Sequence, residues 1–555
     1  MRKARTNEKV QFLAPDVQAK VIPAPTDGWD AISPLASMDP KRAPILDNWV
    51  PRPGFVELRG GYIPYSFLVD GAPGAAVASP VETLMVYRSP TGEEMFAAGD
   101  EFITDVTDGQ NPAVAVSGLA SARWQYVNFT PGGGTNVIQL VNGVDTLRQY
   151  NGTSWTVPVI TGFSGGATTA NIVNINAQKR RLWYVMENSA TAAFMPTDAI
   201  SGAIAGEQTF GSLWGKGGYL VSVASWTIDG GSGPQDYAAF ISSRGQITLY
   251  TGTDPTSTAT WSLVGTFDIS PPIGRRCFLR VGSDVAIITQ DGVLPISQAL
   301  PFDPSADRSV AITARIQNAM AQASLQARNI FGWQLISYPN QQLAVLNVPL
   351  IENESQQQYV MNALTGGWCR FVGWNANCFE IFNDNLYWGG NDGYINLAYA
   401  GSSDATETII ADMQCAFNWF DDPGRLKRMT LLQPLLTTSG VITPTLAVDT
   451  DFETSTALAP VTALVGGVLW DVAVWDVSQW SPASVNFKNW LTVAAIGRAM
   501  AVRMRVNVSG SDATAAGVFD SGTFDSAVFD GGFSSTLPIL QVNAFNSILE
   551  SGGAI

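Results

Sequence analysis

Three times along this chain an aromatic-ended run meets a glycine-containing turn and then a tryptophan. The copies are Gln149-Tyr150-Asn151-Gly152-Thr153-Ser154-Trp155, Leu249-Tyr250-Thr251-Gly252-Thr253-Asp254 with Trp261 beyond a Pro/Ser/Thr stretch, and Val360-Met361-Asn362-Ala363-Leu364-Thr365-Gly366-Gly367-Trp368. Each reads as a strand, a turn that favours positive φ, and a bulky residue that starts the next strand. A hairpin unit that recurs along a chain points to radial β architecture, most simply a propeller. The fold class expected is therefore all-β: a β-propeller-like domain with a helical insertion, plus a C-terminal β-rich domain.

Further hairpins fill the interval from about 61 to 300. Residues 83–87 face 94–98 across Ser89-Pro90-Thr91-Gly92, and 124–129 face 136–141 across a Pro-Gly-Gly-Gly loop. Residues 181–186 form another strand, 237–242 turn at Arg244-Gly245 into 247–250, and 284–289 turn at Asp291-Gly292 into 293–296. One helix interrupts the series. Pro304 and Asp307 are start signals and Asn329 a stop, and Ile312, Ile316, Met320, Ala323 and Ala327 share one face at 3.6-residue spacing. Hairpins resume with 342–348, 358–360, 368–371 and 386–397, and Ser402 to Glu407 reads as a linker.

The division expected is an extended N-terminal arm over 1–60, propeller-like hairpins over 61–303, a helical insertion over 304–330, continued hairpins over 331–403, and a C-terminal β domain over 404–555. The arm follows from its many prolines, which disfavour long helices and central strands. Arg52 and Arg59 bracket a short strand there, and surface ion pairs are expected of them, with a subunit contact as the alternative. In the last region, strands are expected at about 426–436, 441–449 and 501–508, the last presenting Arg503 and Arg505 to solvent. Two five-residue rhythms follow: Trp470-Asp471, Trp475-Asp476, Trp480-Ser481, and Phe519-Asp520, Phe524-Asp525, Phe529-Asp530. Asp residues there suit loop capping, with a calcium site as the sharper alternative.

Composition narrows the function. The chain of 555 residues carries a formal charge of −16, which disfavours a dedicated nucleic-acid reader with its basic stripe. Two basic clusters, Arg2/Lys3/Arg5/Lys9 and Lys179-Arg180-Arg181, read as an arm and a loop edge. There is no histidine, so Ser-His-Asp and Cys-His systems and His-based metal sites are excluded. The four cysteines, Cys277, Cys369, Cys378 and Cys415, form no CxxC and are expected as buried thiols. The basic N-terminus lacks the apolar stretch of a signal peptide, and no run approaches the length of a membrane span, so assembly in a cytoplasm is expected.

No motif carries catalysis. The GxSxG string at Gly162-Phe163-Ser164-Gly165-Gly166 lacks the following helix and the histidine of a nucleophile elbow. Gly152-Thr153-Ser154-Trp155 is similar to part of the Asp-box turn of sialidase-type propellers but lacks the preceding Ser-x-Asp. Asp421 and Asp422 are adjacent, so spacing gives no reason to place them across a glycosidic bond. No catalytic, cofactor-binding or metal residue is assigned, no cofactor is expected, and the chain is not expected to be an enzyme.

The stretch from Phe240 to Ile296 goes beyond generic hairpins, with Phe240-Ile241-Ser242-Ser243-Arg244-Gly245, Tyr250-Thr251-Gly252-Thr253-Asp254-Pro255, Trp261-Ser262-Leu263-Val264-Gly265, Pro272-Ile273-Gly274-Arg275-Arg276-Cys277 and Asp291-Gly292-Val293-Leu294-Pro295-Ile296. Together with Asn48-Trp49-Val50-Pro51-Arg52-Pro53-Gly54, it resembles the tail nozzle family (tail hub, tail tubular protein B-like) of short-tailed bacteriophages. The resemblance is good over roughly 210–300, fair around 45–60 and 360–400, and weak beyond 410. It implies a structural protein of the virion tail: a homohexameric ring below the portal and adaptor, through which genome DNA is retained and ejected without sequence-specific binding. Fibres or spikes would dock at its flank. Two other classes stay open: a virion-attached propeller adhesin that binds host surface glycan, with Trp470 and Trp475 as sugar platforms, and a glycan hydrolase built on a carboxylate pair.

Overall fold

A computed structural model describes residues 16–70, 77–229, 234–299, 310–438, 444–453, 459–460, 485–508 and 539–554. Arg2, Lys3, Arg5, Lys9, Pro304, Asp307 and both aromatic–Asp rhythms, including Trp470 and Trp475, lie outside the described residues.

The repeating hairpins build a β-propeller. Five four-stranded sheets, one three-stranded sheet and four consecutive strands of a larger sheet follow one another around the ring, with antiparallel neighbours throughout. In chain order we call them blades 1 to 7: residues 83–116, 125–156, 172–209, 220–268, 278–295 (three strands), 334–371 and 376–398. The first strands of neighbouring blades pack together, so they line the axis. Between consecutive blades lie separate apolar clusters, such as Met85, Phe96, Ile138 and Leu140 between blades 1 and 2, and Val173, Trp183, Val223 and Phe240 between blades 3 and 4. Strand Tyr62–Phe67 pairs antiparallel with Tyr394–Ala398 as the outermost strand of blade 7, which closes the ring with a segment from before blade 1.

The aromatic–Gly–Trp unit has one structural meaning. In blades 2, 4 and 6 it is the hairpin between the third and fourth strands, with Tyr150 opposite Trp155, Gly252 opposite Trp261 and Met361 opposite Trp368. Trp155 lies 5.1 Å from Tyr150 and 5.0 Å from Phe96 of blade 1, and Trp261 lies 5.3 Å from Tyr250 and 5.8 Å from Trp183 of blade 3. The tryptophan therefore ties its outer strand to the preceding blade in two of the three copies. Aromatic pairs of this kind contribute about 0.5–1.5 kcal/mol beyond their buried area. Gly252 has φ +135°, and a Cβ there would sit 1.9 Å from the Thr260 carbonyl oxygen, so the turn requires glycine.

The helix is shorter than expected. A 3₁₀ turn, Ala314–Ile316, leads into Gln317–Ala327. Ile316, Met320, Ala323 and Ala327 are buried against blades 5 and 6, as their spacing requires, with Ile312 packed beside them.

The N-terminal segment needs correction. From residue 16 onward it is not a free-standing arm. Strand Asp16–Pro23 pairs antiparallel along its whole length with Leu540–Ala554, from Asp16 opposite Ser551 to Pro23 opposite Ala544. The hairpin Trp49–Arg52/Phe55–Leu58 joins the same sheet through Val56 and Glu57. That sheet is completed by Arg425–Thr438, Val485–Phe487 and Leu491–Gly497. A second sheet continues blade 6 outward: Trp368–Phe371 pairs in parallel with Ile45–Asp47, followed by Ile409–Gln414, Met500–Val508 and Thr445–Thr450. The two sheets share one apolar core, including Leu46, Val56, Met413, Met429, Leu432, Met504 and Phe545. The described residues of 16–58 and 409–554 thus make one two-sheet β domain, hydrogen-bonded to the propeller. Prolines fit because Pro51 and Pro23 sit in strands at a sheet margin.

Candidate functional site

Two places concentrate polar chemistry: the propeller axis, and the junction between the propeller and the two-sheet domain.

Side chains from non-adjacent blades can meet only across the axis of a ring. Arg276, at the head of blade 5, donates to the Glu82 carbonyl at 3.0 Å, Thr83 Oγ1 at 2.7 Å and the Trp124 carbonyl at 3.4 Å, all at the heads of blades 1 and 2. Arg123, at the head of blade 2, donates to Glu82 at 2.9 Å and to Glu352, in a turn of blade 6, at 2.5 Å. The Phe331 ring carries both guanidiniums, Arg123 at 4.5 Å and Arg276 at 5.0 Å from its centroid. Cation–π and ion-pair contacts therefore link blades 1, 2, 5 and 6 across one end of the ring. Burial pulls the Arg276 guanidinium below its ordinary pKa, against the opposing field of Cys378, Tyr126, Glu82 and Glu380.

Deeper in, the first strands of blades 1, 2 and 7 contribute Arg88, Tyr126 and Glu380. The Tyr126 hydroxyl donates to the Glu380 carboxylate in a short contact, and Arg88 Nη2 lies 3.2 Å from the same group and 2.7 Å from the Ile381 carbonyl. Burial raises the Glu380 carboxyl above the ordinary range, and the Tyr126 and Arg88 hydrogen bonds only partly offset it. The Tyr126 hydroxyl is pushed well up by burial and by the adjacent carboxylate. This arrangement is a satisfied network with no exposed nucleophile. It fixes three blades to one another.

At the junction, Arg59 is fully buried. Its five N–H groups all find acceptors. Nε reaches Asn48 Oδ1 at 2.8 Å, Nη1 the Gly60 carbonyl at 3.0 Å and Asp404 Oδ1 at 2.8 Å, and Nη2 the Val372 carbonyl at 2.9 Å and Asp404 Oδ2 at 2.6 Å. The guanidinium also stands 5.0 Å from the Trp374 ring centroid and 5.6 Å from that of Phe371. The expectation of a surface pair therefore holds for neither partner: Asp404, in the expected linker, is 5% exposed. Arg52 bridges differently, donating to Glu57 at 2.5 Å and to the Gln341 carbonyl at 2.7 Å.

Other flagged residues take structural roles. Arg503 is not solvated. It makes a two-pronged pair with Asp412 at 3.0 and 2.7 Å, while Arg505, 47% exposed, approaches the same carboxylate at 3.9 Å. Arg180 pairs with Asp198 and Arg181 with Asp254 around a hairpin in which Lys179 and Arg180 have φ of +46° and +61°. Ser164 begins a three-residue 3₁₀ turn with no helix behind it. Asn151 Oδ1 accepts the backbone N–H of Thr153 and Ser154, an Asx turn that explains the Gly152-Thr153-Ser154-Trp155 string without activity. Asp421 pairs with Lys20 at 2.9 Å and Asp422 with Arg425 at 3.4 Å, both at exposed turn positions. The four cysteines are free and buried. Among the described residues, no group of three or more acidic or cysteine side chains is placed to hold a metal ion, and no helix is long and apolar enough to cross a membrane.

A cleft of about 520 Å³ opens at the ends of blades 3, 4 and 5, with Arg244, Arg275, Arg328, Glu187 and Tyr219 in its wall.

No protein-family model and no curated protein matches this chain. Among solved structures it is similar to Raptor of Chaetomium thermophilum, at a TM-score of 0.35 and 10% identity over 61% of this chain and 29% of that one. It is also similar to the extracellular domain of the one-component system BT4673 of B. thetaiotaomicron (TM-score 0.40, 10% identity, 74% and 57% covered). A third is BBS1N in its complex with ARL6DN (TM-score 0.37, 10% identity, 61% and 97% covered). The chain spans less than two thirds of the length of the first two. Likeness at this level carries no argument about function.

Proposed function

We propose that the chain is a structural subunit of a short-tailed phage tail, of the nozzle type. Copies would form a ring, a homohexamer, below the portal and adaptor, guide genome DNA through the ring at ejection, and present their outer faces to fibres or spikes. The observation that supports this reading best is the side-chain network that spans one end of the propeller. Arg123, Arg276, Phe331, Glu82 and Glu352 occupy one end of the propeller, so the propeller serves as a wall element, and a duplex would pass between subunits. A wall element must be stiff. The ring closed by Tyr62–Phe67, the sheet running unbroken from blade 6 into the second domain and the buried Arg59–Asp404 pair all supply stiffness. The net charge of −16 suits a surface past which a polyanion slides, because phosphate neutralisation by Lys or Arg would add salt-dependent affinity.

The test is assembly. Mass measurement of the full chain with and without a portal–adaptor complex is expected to yield six copies per adaptor ring. Label carried on this chain is expected on the tail axis of intact virions. A chain that stays monomeric in the presence of the adaptor, or label found only on peripheral appendages, overturns the reading.

A further inference from the structure

We propose that the cleft at the ends of blades 3, 4 and 5 is a binding site for a saccharide that carries a carboxylate. The site stands whether or not the chain is a tail subunit. Its volume, about 520 Å³, falls within the roughly 300–1,000 Å³ typical of small-ligand sites. Three arginines, Arg244, Arg275 and Arg328, face a single acid, Glu187, in a chain whose overall charge is −16. That local excess of positive charge runs against the composition of the molecule.

The arginines are also under-used. Arg275 Nη1 donates to the Asn142 carbonyl at 2.9 Å, which fixes the side chain, and its Nη2 lies 4.0 Å from Glu187, too far for a hydrogen bond. Among the described residues Arg244 and Arg328 have no ion-pair partner, and both are exposed. Partial burial lowers the Arg275 guanidinium's pKa, and Glu187 only partly opposes this. A carboxylate is the natural guest for planar, forked donors.

The remainder of the wall selects the class. Tyr219 is 45% exposed and offers a ring face for the C–H face of a sugar. Asn188, Gln290 and Asn329 add side-chain amides, and Ser243 a hydroxyl, which match sugar hydroxyls in both donor and acceptor sense. The cleft is walled largely by turns and strand ends, so it offers no strand edge to which an extended peptide could add.

The full chain would be titrated with methyl glucuronide, N-acetylneuraminate and neutral methyl glucoside, followed by saturation-transfer NMR and calorimetry. At least one acidic sugar is expected to bind, with methyl glucoside at least ~10-fold weaker, and Arg244→Gln/Arg328→Gln is expected to weaken the acidic sugar ~10-fold or more. Both side chains are exposed, so an unchanged melting temperature in the variant separates lost binding from lost fold. Equal binding of methyl glucoside, binding of neither acid, unchanged affinity in the double variant, or tighter binding of inorganic phosphate or hexaglutamate than of either sugar would each overturn the proposal.

Discussion

The Arg59–Asp404 pair is a buried ion pair at the junction between the propeller and the two-sheet domain, and its removal has a calculable outcome. In Arg59→Met the Asp404 carboxylate loses both guanidinium hydrogen bonds, at 2.8 and 2.6 Å, and keeps only the Trp374 indole N–H at 3.4 Å. Of the other acceptors, the Gly60 carbonyl loses its guanidinium hydrogen bond, and two keep a partner. Asn48 Oδ1 still receives the Val372 N–H at 2.9 Å, and the Val372 carbonyl still receives Asn48 Nδ2 at 3.1 Å. The loss is therefore dominated by one stranded buried carboxylate, which costs about 3–5 kcal/mol when a buried pair is broken from one side. Asp404→Asn in the same background removes the stranded charge and is expected to recover about 2 kcal/mol of that loss, within the usual range of coupling between touching residues.

The assay is urea unfolding followed by far-UV circular dichroism, with Arg180→Met as a control. Arg180 is 63% exposed and pairs with Asp198 at the surface, where such a pair contributes at most about 1 kcal/mol. Because a chain of this size need not unfold in one step, the first transition is the quantity compared. If Arg59→Met shifts that transition no more than the control does, or if the double variant is as unstable as Arg59→Met, the argument from a buried, fully paired guanidinium is wrong.

Three further outcomes are expected. Glu380 is held above the ordinary carboxyl range, so the folded state retains its proton longer than the unfolded chain does. Its contribution is full below about pH 4.5 and is lost as pH rises, so Glu380→Gln should flatten the pH dependence of the melting temperature above that point, and an unchanged slope would count against it. The thiols of Cys277, Cys378 and Cys415 are pushed up to about 12 by burial, and that of Cys369 higher still, so none should react with Ellman's reagent until the protein unfolds; a thiol that titrates rapidly in native buffer contradicts this. Gly252→Ala should destabilise by about 1–3 kcal/mol in a melting assay, because its Cβ would strike the Thr260 carbonyl, whereas Gly54→Ala, with open space and φ +90°, should cost less; equal effects would remove the steric argument.

The blades were legible because their information is local. In a meander each strand pairs with its chain neighbour, so turn residues and alternating apolar positions specify the partner as well as the strand. Thr83 falls opposite Ala98 and Ile241 opposite Ile247, as their turns require. The N-terminal segment was misread for the converse reason. Strand Asp16–Pro23 finds its partner in Leu540–Ala554, and Ile45–Asp47 lies between Trp368–Phe371 and Ile409–Gln414. Prolines argue against central strands, but nothing local says that a proline-rich stretch will serve as the margin of a sheet whose other strands lie hundreds of residues away.

The polar sites follow the same logic one level up. Arg59 was noticed, yet its partner could not be, because Asp404 is 345 positions away and sits in a segment rich in turn residues. Nothing in their local sequence marks Arg276 and Phe331. Their meaning comes only from the closed ring, which brings the heads of blades 1, 2 and 5 to one axis. Propeller closure converts sequence separation into proximity, so residues with no shared motif can form one network. The cleft illustrates the consequence for function. Arg244, Arg275 and Arg328 belong to three separate turns and never form a basic run, so an acidic composition concealed a cationic site. In such a fold, ligand recognition is set by the turns at blade ends, which the hairpin pattern leaves free to vary without disturbing the strands they join.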